Sequence, residues 1–72
     1  MIVLTATRID AYGHFEFKIE IAGQVHATTG EALKAAKILA KLGVERPLGL
    51  VEHARTWGTV EIVHPAPPMS GL

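Results

Sequence analysis

Residues 14–21 read His14-Phe15-Glu16-Phe17-Lys18-Ile19-Glu20-Ile21, and the alternation between apolar and polar side chains is unbroken. Successive side chains on a strand point to opposite faces. Phe15, Phe17, Ile19 and Ile21 therefore share one face, and His14, Glu16, Lys18 and Glu20 the other. A strict period of two predicts a strand buried on one side and solvated on the other, which is the habit of an antiparallel sheet. An open, charged sheet face is a surface for meeting something and is not an active site.

Working outward from this strand, residues 2–10 are rich in β-branched and apolar side chains and suit a first strand. Two registers compete. One buries Val3, Thr5, Thr7 and Ile9, and the other buries Ile2, Leu4 and Ala6. A slip of one residue exchanges the faces, and the pattern does not choose. Asp10-Ala11-Tyr12-Gly13 predicts a turn, with Gly13 in the left-handed conformation closing a three-residue hairpin loop. Ala22-Gly23 breaks the central strand. Residues 24–27 suit a short third strand, with Val25 and Ala27 on the core side and His26 outward near Glu20.

Thr28-Thr29-Gly30-Glu31 fits a capping box, Thr28 accepting from the Glu31 backbone N–H while the Glu31 carboxylate reaches back. Strong helix formers follow, E-A-L-K-A-A-K-I-L-A-K-L. Ala32, Ala35, Ala36, Leu39 and Ala40 make an inner face, and Lys34, Lys37 and Lys41 line the outer one. Gly43 supplies a left-handed cap onto which Val44 folds back. Residues 48–53 are ambiguous. Pro47 suits the first turn of a helix, but Gly49 and Val51 weaken one, and a fourth strand is preferred. A turn through Arg55-Thr56-Trp57-Gly58 and a fifth strand, residues 59–64, complete the expectation. The fold class is thus α+β: an antiparallel sheet of four to five strands in the order β-β-β-α-β-β, with one main helix on one face. Residues 1–64 form a single domain, and residues 65–72 an extended or mobile Pro-rich tail.

The chain has 72 residues and a formal net charge of zero. A domain this small buries only roughly 60% of its unfolded surface and has little room for a deep pocket, so no enzymatic activity is expected. Balanced charge disfavours, without excluding, a dedicated nucleic-acid binder, whose affinity comes mostly from neutralised phosphates. With no cysteine, disulfides, thiolate metal sites and thiol catalysis are ruled out. The N-terminal residues show neither a signal peptide nor a membrane span, so no membrane partner is expected, and the location expected is cytoplasmic.

Candidate chemistry is sparse. The four histidines, His14, His26, His53 and His64, make no short ligand pair, so neither metal nor cofactor is expected. Thr28-Thr29-Gly30 before a helix suggests an anion cradle, but Glu31 brings its own carboxylate to that helix end. Lys34, Lys37 and Lys41 read as the solvated back of a helix or as a grip for phosphate or an acidic protein surface. Tyr12, Arg55 and Trp57 sit in expected turns, and these residue types dominate interface hot spots. For Trp57, the only tryptophan, a core plug is an equal reading.

Three segments, G-H-F-E-F-K-I-E-I-A-G-Q-V from Gly13, G-E-A-L-K-A-A-K from Gly30 and the two short apolar strands that follow, resemble the layout of small anti-CRISPR proteins. Phages and mobile elements encode these, and one type I inhibitor has this order of strand, turn, helix and closing hairpin. The resemblance covers most of the chain and implies a stoichiometric inhibitor that binds a CRISPR effector complex in the bacterial cytoplasm. Partner contact is expected from Tyr12, Arg55, Trp57, Lys34, Lys37 and Lys41. The alternative is a small nucleic-acid-binding accessory protein using the lysine stripe or the open sheet face. A third reading is a subunit of an oligomeric enzyme with its site between chains. The sequence is also compatible with a homodimer.

Overall fold

A computed structural model describes residues 1–63. The tail expected at residues 65–72, and His64 at the end of the expected fifth strand, lie outside the described residues. The elements are β1 (Ile2–Arg8), β2 (Phe15–Ile21), β3 (Gln24–Thr29), α1 (Ala32–Lys41), α2 (Pro47–Trp57) and β4 (Thr59–Ile62). The strands form one antiparallel sheet in the order β3-β2-β1-β4. Both helices lie on the same face, α1 over β2 and β3, α2 over β1 and β4. The class is α+β as expected, with four strands and two helices.

The alternation in β2 holds: Phe17 and Ile19 are buried and Glu16 is exposed. The ambiguity in β1 is resolved in favour of Ile2, Leu4 and Ala6, which are buried, while Val3, Thr5 and Thr7 face outward with Lys18 and the glutamates of β2. In β3 the expectation for Val25 is corrected. A bulge between Ile19 and Glu20 puts Ala27 opposite Ile19 and Val25 opposite Glu20. One extra residue reverses every side chain beyond it, so Val25 joins the outer face and is 58% exposed.

Residues 48–53, expected as a strand, are helical. Strands lie about 4.8 Å apart, so four span roughly 15–19 Å, whereas one helix covers about 10 Å. α1 alone leaves the inner faces of β1 and β4 in water. α2 covers them with Val51 and Ala54, both fully buried. It also carries the chain back to the end of the sheet where β4 must start to run antiparallel to β1.

The capping box is absent. Thr28 and Thr29 belong to β3, the N-cap of α1 is Glu31 with no side-chain cap bond, and the Glu31 N–H donates to Thr29 Oγ1 at 3.2 Å. Ala40 is exposed, and Ile38 takes a half-buried place instead. The C-terminal end is as read. Gly43 has φ of 85°, its N–H donates to Ala40 O, and the Val44 N–H donates to Leu39 O, both at 3.0 Å. This is the paired bonding of a Schellman cap, and it turns Val44 into the core.

Candidate interaction site at the hairpin end

The β1–β2 connection, the start of α1 and the end of α2 gather at one end of the sheet. The connection is wider than the three-residue loop expected, closing where the Ile9 N–H donates to His14 O at 3.0 Å. Asp10 organises it. Its Oδ1 accepts from the Tyr12 and His14 N–H groups at 2.8 and 3.2 Å, and its Oδ2 pairs with His14 Nδ1 at 2.5 Å. Gly13 takes φ of 89°, the left-handed conformation expected of it. The hydrogen bond to His14 is the largest effect on the Asp10 carboxyl and, with help from the Tyr12 and His14 backbone N–H groups, holds it below its ordinary value against the opposing effect of desolvation, which ranks second. Tyr12, at the tip, is 87% exposed.

Arg55 and Trp57 are in the last turn of α2 and not in the turn expected for them. Trp57 is 72% exposed and is not a core plug. Its ring lies beside His53 at 6.2 Å between centroids, tilted by 46°. Gly58, with φ of 95°, ends the helix, and its carbonyl accepts from the Ala6 N–H at 2.8 Å, which ties this end of α2 to β1. Arg55 reaches the hairpin. Its guanidinium carbon lies over the Phe15 ring, 5.6 Å from the centroid, within range of a cation–π contact. Nη1 is held by both oxygens of Glu52 at 3.0 and 3.2 Å. Phe15 itself stacks on Phe17.

Between these elements lies an open recess of about 200 Å³, lined by Gly13, His14, Phe15, Phe17, Gly30, Ala32 and Arg55. The fold thus brings Arg55 to the hairpin that carries Tyr12. Trp57, in the last turn of α2, stands at the same end of the molecule, with His53 as its ring neighbour. Lys34 stands nearby on the first turns of α1, paired with Glu31 at 3.1 Å. Lys37 and Lys41 follow along the exposed side of α1, leading away from this end.

Sequence reasoning placed Asp10 at the start of the turn, which its bonds to the Tyr12 and His14 N–H groups bear out, and missed His14, Phe15 and Glu52 as organisers. The Asp10–His14 spacing in a turn was a visible signal. Glu52 and Arg55 show the i,i+3 spacing of a helical ion pair, which is visible only once the segment is taken as a helix.

The fold and this end of it define a small two-layer α+β protein that displays an aromatic and cationic cluster beside a shallow recess. No protein-family model, curated protein or solved structure matches the chain. Among the described residues, no helix is long and apolar enough to cross a membrane.

Proposed function

We propose that this chain is a non-enzymatic, protein-binding inhibitor that docks on its target through the hairpin end, with Tyr12, Arg55 and Trp57 as the central contacts. One observation carries this reading. The core closes without the only tryptophan, which stands 72% exposed at the end of a helix. Exposing so large an apolar ring forgoes burial energy, and Trp, Tyr and Arg together are the residue types that anchor protein interfaces. Lys34, Lys37 and Lys41 act as the steering flank. The target inferred from the sequence resemblance is a CRISPR effector complex in a bacterial cytoplasm.

The nucleic-acid alternative has less support. The open sheet face carries Glu16, Glu20 and Glu61 against Lys18, which already pairs with Glu20 at 3.8 Å. The test is binding of the purified chain to a type I effector complex, with plasmid interference measured in parallel. Trp57→Ala is expected to weaken binding by about 2 kcal/mol or more, a roughly 30-fold loss, with circular dichroism and melting unchanged. Wild-type affinity in both Trp57→Ala and Tyr12→Ala would overturn the assignment of this end. Tight, salt-dependent binding to nucleic acid alone would favour the alternative.

A further inference from the structure

We propose that the recess between the β1–β2 hairpin and α2 receives the carboxylate side chain of a glutamate or aspartate on the protein partner, gripped by Arg55 over a phenylalanine floor. This deepens the docking reading above and rests on it for the partner, but the chemistry of the recess is testable alone.

The recess is large enough, at about 200 Å³, for a short acidic side chain and open enough for it to enter from solvent. Phe15 and Phe17 form an apolar floor that suits the methylenes of such a side chain. Arg55 is fixed above this floor from two sides, by the Phe15 ring and by Glu52. Glu52 engages Nη1 alone, and among the described residues nothing accepts from Nη2 or Nε. A guanidinium carries five N–H donors in a planar fork that matches a carboxylate, so a partly engaged, pre-oriented fork is a receptor for one. His14 lines the same recess. Its Nδ1–H donates to Asp10, which holds the ring in place as part of the recess wall. Glu52 and Asp10 set two carboxylates against the one guanidinium, so the grip depends on the geometry of the fork and not on net charge. Arg55→Lys, which keeps the charge and loses the fork, therefore separates the two.

The experiment is a titration of the isotope-labelled full chain with N-acetyl-glutamate N-methylamide, followed by amide chemical shifts. Saturable shifts are expected at Gly13, Phe15 and Gly30. The neutral glutamine analogue is expected to bind about tenfold more weakly or worse, as one charge-assisted pair is lost. Arg55→Gln should abolish the shifts and Arg55→Lys should weaken them. Equal response to the two probes, shifts spread over Lys37 and Lys41, or an unchanged response in Arg55→Gln would overturn the proposal. If Arg55→Gln loses its dispersed spectrum, Arg55→Lys replaces it, and an unchanged titration there counts against the proposal equally. Partner docking that survives while the titration fails removes this inference and leaves the docking reading standing.

Discussion

Ala22 has φ of 53° and Gly23 has φ of 80°, so the β2–β3 hairpin turns through two residues with positive φ, the requirement of a type I′ turn. Glycine adopts this without cost, whereas a Cβ at Ala22 is strained. Asparagine tolerates the left-handed region and is the preferred partner of a following glycine. Ala22→Asn is therefore expected to raise stability by about 0.5–1 kcal/mol, read as a shift of the urea midpoint at constant slope. An unchanged or lowered midpoint would count against a strained turn. Asp10 sets a second expectation at this scale. Its carboxyl is held low chiefly by His14, so its folded value lies below its unfolded one. The contribution it makes to the hairpin is present above the unfolded value and fades as pH falls through the folded value. Acid titration followed at the Tyr12 and His14 amides should show a midpoint below that of an ordinary aspartate. Asp10→Asn should remove that transition. A midpoint at or above the ordinary value would mean that the clip does not form.

At the scale of elements, α2 separates what was expected from what the fold adopts. Gly49 lies inside it, and a Cβ built there meets nothing within 4 Å. In a helix, Gly→Ala gains about 0.5–1 kcal/mol, so Gly49→Ala should stabilise the domain by that amount in thermal or urea melts. A strand at residues 48–53 would give no such gain, because alanine is a poor strand former. The helical period was present in the sequence. Pro47, Leu50, Val51 and Ala54 fall at i, i+3, i+4 and i+7, and each is buried or half-buried. Gly49 and the β-branched Val51 obscured it locally. The capping box failed for the opposite reason. Its residue spacing was correct, but pairing of β3 with β2 holds Thr28 opposite Lys18 and delays the start of the helix.

Across the whole molecule, stability rests on one small core between the sheet and two helices, centred on Leu4, Ile19, Leu39 and Val51. Phe17, 2% exposed, sits at the edge of this core and under the recess. Phe17→Ala is expected to cost about 3–5 kcal/mol. A domain of this size holds roughly 4–11 kcal/mol in all, from about 0.05–0.15 per residue. The variant should therefore be largely unfolded or melt far below the parent, whereas Trp57→Ala should melt with it. Similar melting of the two variants would contradict the division between core and display that the function rests on.

Elements whose signals are local were legible in the chain. The alternation of β2, the lysine-bearing helix with its glycine cap, and the α+β class follow from side-chain period and backbone preference, which act within a few residues. Tertiary structure decided the remainder. The register of β1 was open because Ile2, Leu4 and Ala6 compete with Val3, Thr5, Thr7 and Ile9 for burial, and only the presence of helices on one face chose between them. The helical state of residues 47–57 followed from the width of sheet left uncovered by α1. The exposure of Trp57 and the meeting of Arg55 with Phe15 were settled by the packing of α2 across β1 and β4. Contacts between residues distant in the chain depend on how whole elements pack, and no local pattern encodes that placement.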